Sequence, residues 1–233
     1  GLNALDARLN AVYALTPPCD LAADIGTDHG YLGAHLLETG RCARVRFTDV
    51  SAASLQKAEA LMREMGLSER ADFCLGDGAE ALEGPVDAVI LAGMGAETIC
   101  GILSRGRAKL GTATLVLQPN VDAPLLRAYL EESGYAIADE MLARANGRFY
   151  VVISAAPGQM RLSETERVVG PVLAKKQPKE LADYARARVR VGEKALRGAL
   201  AGQEVWAQAL QIELRVWKKV ANDSDGEGSL RAD

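Results

Sequence analysis

Short apolar runs alternate with segments of helical spacing through the first half of the chain, and this alternation restricts the fold more than any other feature. The apolar runs are Leu21–Ile25, Val45–Val50, Ala71–Leu75, Val86–Ala92 and Thr112–Leu117. The helical segments between them are Tyr31–Glu38, Ser51–Met65, Glu97–Leu103 and Asp122–Ser133. Near-continuous apolar strands separated by helices are typical of a parallel sheet that is covered on both faces. The pattern therefore predicts an α/β fold with a doubly wound sheet.

The alternation stops after Ser133, where two strand-like segments follow each other directly. Tyr135–Ala145 and Phe149–Ala155 are separated by Asn146-Gly147, a strong signal for a two-residue hairpin turn. We expect the sheet to end in an antiparallel hairpin. An amphipathic helix should precede the first strand, with one apolar side formed by Leu2, Leu5, Leu9, Val12 and Leu15.

The rest of the chain contains only helix-forming segments. Ser163 followed by Glu166 predicts a capped helix start, and the Gly198–Gly202 stretch predicts a turn between two antiparallel helices. The predicted apolar stripe of the first helix consists of Leu181, Tyr184, Ala185, Val191, Ala195, Leu196 and Ala199. That of the second consists of Trp206, Ala209, Leu210, Leu214, Trp217 and Val220. We expect an α/β domain over residues 1–158, a coiled-coil-like α-helical hairpin over 159–221 and a polar tail over 222–233.

Charge is distributed unevenly along the chain. Residues 1–160 carry 13 Lys and Arg against 20 Asp and Glu, a net charge of −7, whereas residues 161–221 carry 13 against 7, a net charge of +6. Residues 222–233 add a net charge of −3. A basic appendage on an acidic body favours contact with a polyanion, and Arg186, Arg190, Lys194 and Arg197 would lie along one helix face. A solvated face that only keeps the hairpin soluble is the alternative interpretation.

The carboxyl ends of the predicted strands carry the residues best suited to bind a ligand, because doubly wound sheets bind ligands there. These ends read Asp24-Ile25-Gly26-Thr27-Asp28-His29-Gly30, Asp49, Gly76-Asp77-Gly78, Ala92-Gly93-Met94-Gly95 and Gln118-Pro119-Asn120. The first loop is not GxGxxG, and a carboxylate within it disfavours a pyrophosphate ligand, which argues against a nicotinamide dehydrogenase. A turn flanked by carboxylates suits a cationic amine instead.

Two further carboxylates complete a ligand description. Asp49 can accept both hydroxyls of a ribose, and Asp77 can accept a hydrogen bond from an adenine amino group. Adenine, ribose and a cationic tail together describe S-adenosylmethionine. Each of these residues could instead serve only as a turn or a helix cap.

The same motifs identify a family resemblance. The chain resembles the bacterial tRNA (adenine-22-N1)-methyltransferases from Leu5 to about Ala155. The matching motifs are Arg8-Leu9, Asp24–Leu32 (DIGTDHGYL), Gly76-Asp77-Gly78, Ala92-Gly93-Met94-Gly95, Leu117-Gln118-Pro119-Asn120 and Arg148-Phe149-Tyr150. Gly33 and Ala96 stand where that family usually shows a proline and a second glycine.

The resemblance implies a Rossmann-like methyltransferase domain that methylates adenine N1 in tRNA with S-adenosyl-L-methionine. It implies that Asp28, His29 and Asn120 surround the methyl group and the base. The expected cofactor-binding residues are Asp24, Gly26, Gly30, Asp49, Asp77, Gly78, Gly93 and Met94, and the expected substrate-binding residues are Arg8, Tyr31, Arg186, Arg190, Lys194 and Arg197. A small-molecule methyltransferase and a non-catalytic RNA-binding module remain the alternatives.

The remaining composition indicates where such a protein works. The four cysteines lie far apart without metal-ligand spacing, so we expect neither a disulfide framework nor a metal site, and a reducing cytoplasm fits best. No apolar run approaches the roughly 18 residues that a membrane span requires, so no membrane contact is expected. A monomer is the favoured state.

Overall fold

The computed structural model describes the backbone of residues 4–229 and the side chains of residues 4–223. The chain divides into two compact units, Gly1–Arg161 and Leu162–Asp233, which we call the sheet unit and the helical unit. None of the described helices is both long and apolar enough to cross a membrane.

The sheet unit contains seven strands and six α-helices within its described residues. The strands are β1 (Cys19–Ile25), β2 (Cys42–Asp49), β3 (Ala71–Leu75), β4 (Ala88–Met94), β5 (Thr114–Pro119), β6 (Tyr135–Ala145) and β7 (Arg148–Pro157). The helices are α1 (Ala7–Leu15), α2 (Tyr31–Glu38), α3 (Ala52–Glu64), α4 (Ala96–Arg105), α5 (Arg107–Leu110) and α6 (Ala123–Glu132).

All seven strands form one sheet in the order β3-β2-β1-β4-β5-β7-β6. Strands β1 to β5 are parallel to one another, and β7 is antiparallel to both β5 and β6. Asn146 and Gly147 have φ values of 53° and 74°, the left-handed backbone that a two-residue hairpin turn requires. The predicted doubly wound sheet with a terminal antiparallel hairpin is confirmed. Its strand order reverses between β1 and β4, and this switch point opens a crevice at the carboxyl ends of those strands.

The central strands are apolar because helices cover them. Within β4, Ala88, Val89, Ile90 and Leu91 are all buried, which explains the continuous apolar runs of the sequence. Gly33 in α2 lets that helix lie directly on β2, since a Cβ atom there would overlap the Phe47 ring. The Phe47 ring therefore occupies the space that a side chain at Gly33, where the chain departs from the family pattern, would need.

Helix α1 is shorter than the apolar pattern predicted. It begins at Ala7 because the Asp6 carboxylate caps it, accepting a hydrogen bond of 2.8 Å from the Leu9 backbone N–H. Leu5 precedes the helix yet packs against the core, so apolar spacing alone placed the helix start too early. Leu2 lies outside the described residues.

As far as Ser229, where the described backbone ends, the helical unit contains four helices: α7 (Glu164–Val169), α8 (Pro171–Lys176), α9 (Leu181–Arg197) and α10 (Glu204–Ser229). The predicted cap is present as a capping box between Ser163 and Glu166. The predicted helix pair corresponds to α9 and α10, whose contact includes Tyr184 and Trp217 edge-to-face at 5.1 Å between ring centroids.

Two details of the helix pair differ from the sequence prediction. Val191 is exposed, and the buried position beside it is Gly192, where a Cβ atom would lie 2.6 Å from Leu214 Cδ2. A close backbone approach therefore takes the place of an apolar side chain. Helix α10 also continues past Asn222 to Ser229, because each residue added to an existing helix gains a hydrogen bond without a new nucleation cost.

Candidate active site at the switch point

A cavity of about 460 Å³ opens at the carboxyl ends of β1, β4 and β5. It is lined by Arg8, Leu9, Asp24, Gly26, Thr27, Asp28, His29, Tyr31, Leu32, Ala92, Gly93, Met94, Asn120 and Tyr150. Nine of these residues are among those that the sequence analysis named for catalysis, cofactor or substrate. The structure therefore brings residues from five separate sequence motifs to one cavity.

Asp24 is the buried carboxylate of this cavity. Only 5% of its surface is exposed, and its Oδ2 accepts a hydrogen bond of 3.0 Å from the Thr27 hydroxyl. Burial raises the pKa of Asp24 to about 6, the Thr27 hydrogen bond opposes that rise, and the nearby charge of Asp49 adds to it. Burial removes the water that would stabilise the ionised carboxylate. A cationic ligand beside Asp24 would stabilise that ionised form in place of the missing water.

Two glycines leave space that side chains would fill. Gly26 has a φ of 75°, and a Cβ atom there would lie 2.5 Å from Met94 Cε. Gly93 has a φ of 79°, and its Cβ atom would face Arg8 Nη1 at 3.4 Å. The left-handed backbone is the reason that glycine is favoured at both positions, and a side chain at Gly26 would also displace the end of Met94.

The turn after β1 presents Asp28 and His29 to the cavity. Asp28 has a φ of 54°, a left-handed conformation that Asp and Asn tolerate better than other side chains. The turn is closed by a hydrogen bond of 3.0 Å from the Gly30 N–H to the Thr27 carbonyl. The Asp28 carboxylate is 78% exposed and lies 3.6 Å from His29 Nε2. Its charge is therefore available to a ligand in the cavity.

An aromatic surface adjoins this turn. The Tyr31 ring is exposed, and its centroid lies 5.5 Å from that of His29. Exposed rings at the mouth of a cavity offer a stacking surface for a planar base.

Gln118 is a functional candidate that the sequence analysis did not assign. It is completely buried at the end of β5, and its Oε1 accepts hydrogen bonds from Arg8 Nη1 at 2.8 Å and from the Gly93 N–H at 2.9 Å. Its Nε2 donates to Asn120 Oδ1 at 3.1 Å. A polar side chain at the end of an otherwise apolar strand was the available signal. Arg8 also lies over the Tyr150 ring, with Cζ 5.9 Å from the ring centroid.

The loops after β4 and β5 are joined through their backbones. The Asn120 N–H donates to the Met94 carbonyl at 2.7 Å, and the Ala96 N–H donates to the Val121 carbonyl at 3.1 Å. Ala96, the second departure from the family pattern, is buried at the first position of α4. These bonds hold Asn120 in place relative to Gly93 and Met94.

Four predicted cofactor residues do not line the cavity. Gly30 packs on α3, where its Cβ atom would lie 2.9 Å from that of Ala58, and Gly78 is buried against Ile102. Asp77 is exposed, with Oδ1 4.0 Å from Arg105 Nη2. Both glycines therefore have packing roles in the fold.

Asp49 ends β2 next to the switch point. Its Oδ1 accepts a hydrogen bond of 2.8 Å from the Ser51 N–H, which leaves its other oxygen available to a ligand. Val50 and Leu75, at the ends of β2 and β3, are exposed apolar side chains. The sequence analysis did not assign either, and both offer apolar surface to a flat ring.

The predicted basic face of α9 is only partly paired. Arg186 Nη2 lies 2.6 Å from Asp183 Oδ1, whereas Arg190, Lys194 and Arg197 are exposed. Glu193, which is adjacent to Lys194 in sequence, forms an ion pair of 3.1 Å with Lys218 of α10.

A larger cavity of about 740 Å³ lies within the helical unit. Lys179, Arg215 and Lys219 line it together with the carboxylates Glu164 and Asp223. Charges of both signs line this cavity and favour neither an anionic nor a cationic ligand. The smaller cavity is therefore the better candidate for the active site. Within residues 4–223, no group of three or more His, Cys, Asp and Glu side chains is arranged to hold a metal ion.

Comparisons with known proteins agree with this geometry. A family model described as a methyltransferase domain matches residues 5–153. The tRNA (adenine(22)-N(1))-methyltransferase of Bacillus subtilis is 32% identical over 181 residues, which cover 74% of this chain and 76% of that protein.

Solved structures extend the likeness over both units. The crystal structure of the B. subtilis m1A22 tRNA methyltransferase has a TM-score of 0.80 at 27% identity, covering 95% of this chain and all of that one. A Streptococcus pneumoniae protein in complex with S-adenosyl-L-methionine has a TM-score of 0.84 at 28% identity, covering 94% of this chain and 100% of that one. The chain belongs to the family of tRNA (adenine(22)-N(1))-methyltransferases.

Proposed function

We propose that this protein transfers a methyl group from S-adenosyl-L-methionine to N1 of an adenine in tRNA, adenine 22 by its family, and that the cavity at the switch point is where transfer occurs. The observation that carries this proposal is the convergence of Asp24, Asp28 and Asn120 on one cavity in a chain of this family. The confirmed family and fold support the activity, and the residue assignments below are proposals.

The cavity fits the cofactor on its own chemistry. Asp24, buried and held by Thr27, would bind the cationic amine of the methionine part, while Gly26 and Gly93 leave backbone space for it. Asp49 would accept the ribose hydroxyls, with Val50 and Leu75 as apolar surface for the adenine ring and Asp77 near its amino group. When bound, the cofactor supplies a methyl group on a positively charged sulfur, which leaves as a neutral thioether.

The protein's contribution to the reaction is mainly positioning. Adenine N1 carries its own lone pair, so no strong base has to remove a proton before attack. Alignment of N1 with the methyl group at about 3 Å can contribute roughly 7–11 kcal/mol to the rate. The base becomes cationic after attack, and the exposed carboxylate of Asp28 near N6 would stabilise that charge.

The target base must leave its helix to be methylated. N1 lies on the Watson–Crick edge, so the adenine has to be unpaired or flipped into the cavity. Tyr31 and His29 offer a stacking surface for it, and Arg8 lies at the same mouth.

A basic ridge on α9, formed by Arg190, Lys194 and Arg197, would bind the tRNA backbone. These three side chains are exposed. The stretch 161–221 has a net charge of +6, whereas residues 1–160 have a net charge of −7. Phosphate contacts of this kind fix position and orientation without reading sequence.

Removal of the ridge charges should flatten the salt dependence of tRNA binding. In a variant with Arg190, Lys194 and Arg197 all changed to Gln, the slope of log K against log salt should fall by about two to three units, since each contact releases roughly 0.7–0.9 counterion. Filter binding between 50 and 300 mM salt would measure it. Arg186→Gln is the matched control, with a change below about one unit, because Asp183 already neutralises that guanidinium. If the triple variant shows the same slope as the wild-type protein, these three side chains form only a solvated surface and do not bind tRNA.

Cofactor affinity should depend on pH through Asp24. Its carboxyl is protonated below its pKa of about 6, and a cationic amine needs the ionised form. We expect cofactor binding to weaken about tenfold per pH unit below pH 6 and to release about half a proton at pH 6. Calorimetry in two buffers of different ionisation enthalpy would measure both. The Asp24→Asn variant should bind the cofactor weakly, and its cofactor affinity should not depend on pH in this way. Because Asp49, Asp28 and His29 also lie nearby, an unchanged pH profile in that variant would assign the dependence to one of them.

Transfer of labelled methyl groups tests the proposed function. Incubation with labelled S-adenosyl-L-methionine should place the label in unmodified bulk tRNA and not in free adenosine. Label in small molecules alone would indicate a small-molecule methyltransferase. Binding of both tRNA and cofactor without any transfer would indicate a non-catalytic RNA-binding module.

A further inference from the structure

The orientation of the Asn120 amide is determined by groups that can only donate. The Arg8 guanidinium and the Gly93 N–H both donate to Gln118, so the Gln118 atom facing them must be its carbonyl oxygen. Its Nε2 then faces Asn120 and can only donate, so the Asn120 atom it contacts must be Oδ1. The assignment of oxygen and nitrogen in both amides therefore follows from this chain of hydrogen bonds.

This orientation leaves Asn120 with one acceptor site and two donors for a ligand. A carbonyl oxygen has two lone pairs, and Gln118 uses one of them. Asn120 is exposed and lines the cavity, whereas Gln118 behind it is completely buried. The remaining oxygen lone pair and the amide N–H group are the acceptor and the donor that Asn120 can offer to a ligand.

An adjacent acceptor and donor on one amide match one edge of adenine. Asn side chains bind adenine by accepting from N6–H and donating to N7. This contact leaves N1 free, and the second N6 hydrogen, on the N1 side, stays available to Asp28. Guanine presents acceptors at both O6 and N7, so the fixed oxygen of Asn120 would repel it.

We infer that Asn120 recognises the N6 and N7 edge of the target adenine, and that Gln118 is a positioning residue which fixes the amide in the orientation this recognition needs. The inference rests on the proposed function, since it assigns how that site selects its base. Arg8 and Gly93 act through Gln118 in this account.

Substitution of the target adenosine by 7-deazaadenosine tests the inference. The analogue keeps N1 and N6 but has no acceptor at position 7. The wild-type protein should show a kcat/KM about three- to tenfold higher for tRNA with adenosine than for tRNA with the analogue, the range of one hydrogen bond. Because the two bases differ in intrinsic reactivity, this ratio is compared between variants.

Two variants should abolish or invert the ratio. In Gln118→Glu, Arg8 keeps the new carboxylate ionised, so Asn120 must turn its N–H group toward it and its oxygen toward N7. Asn120→Asp keeps the oxygen that Gln118 contacts and places a second oxygen at N7. In both variants, the ratio of kcat/KM for adenosine to that for the analogue should be at least about threefold lower than in the wild-type protein. Ser154→Ala, which removes a buried polar group from the neighbouring strand β7, should keep the wild-type ratio.

The outcomes separate the two levels of the account. Equal ratios in wild type, Gln118→Glu and Asn120→Asp would overturn the inference and leave the methyltransferase assignment intact. No methylation of any tRNA by the wild-type protein would overturn the proposed function and the inference with it. Unchanged cofactor affinity in Gln118→Glu, measured by calorimetry, shows that a changed ratio does not come from a disrupted fold.

Discussion

Replacement of Asp28 by Asn is expected to lower kcat about 100-fold while the affinities for cofactor and tRNA change by no more than about twofold. In the proposed mechanism, the carboxylate would interact most strongly when the base carries positive charge, and that charge exists only in the transition state and the product. Asn keeps the size and most hydrogen bonding of Asp but has no charge to offer.

The local backbone makes this substitution a clean test. Asp28 has a φ of 54°, and Asn is enriched in the same left-handed region, so the turn should keep its shape. Single-turnover kinetics with saturating tRNA measures the chemical step, and calorimetry measures cofactor binding. Equal losses of rate and affinity would make Asp28 a binding or structural residue.

Replacement of Asp49 by Ala is expected to weaken S-adenosyl-L-methionine by about 1.5–3 kcal/mol, or roughly 10- to 150-fold in Kd. In the proposed site, the variant would lose charge-assisted hydrogen bonds to the ribose hydroxyls. The melting temperature should change little, because the Asp49 side chain makes one local hydrogen bond, to the Ser51 N–H.

Asp72→Ala is the matched control for this measurement. It removes the same charge from the neighbouring strand β3, where Asp72 pairs with Arg44 and Arg46. Calorimetry should show cofactor affinity unchanged in the control and reduced in Asp49→Ala. Equal affinity in both variants would show that the end of β2 does not hold the ribose.

Much of the sheet unit could be predicted because its signals are local. The segments Tyr31–Glu38, Ala71–Leu75 and Tyr135–Ala145 have the same bounds in the structure as in the sequence analysis. A glycine adjoins each of them, at Gly30, Gly76 and Gly134, and the helices cover both sheet faces, so apolar runs coincide with strands.

The helical unit was less predictable because its packing depends on backbone approach. Gly192 is buried against Leu214, and no pattern of apolar residues reveals such a contact. The break between α7 and α8 occurs at Gly170, which has a φ of 111°, followed by Pro171 at the first position of α8. The Gly170-Pro171 pair was the available sequence signal for this break, and the sequence analysis did not use it.

The residues of the candidate site could also be predicted only in part. Motif positions at strand ends, together with the family resemblance, named Asp24, Asp28 and Asn120, and parallel strands bring their carboxyl ends to one edge. The connection of Arg8 to Gln118 joins residues 110 positions apart in sequence, and only the packing of α1 beside the sheet creates it.

Identification of the methylated nucleoside tests the central claim most directly. Unmodified tRNA carrying an unpaired adenine at position 22 would be incubated with the protein and S-adenosyl-L-methionine, digested, and analysed by mass spectrometry beside a reverse-transcription map. The account predicts N1-methyladenosine at that single adenine, and no product when the adenine is replaced by guanine. Methylation at N6, at another nucleotide, or equally of the guanine-containing tRNA would contradict it.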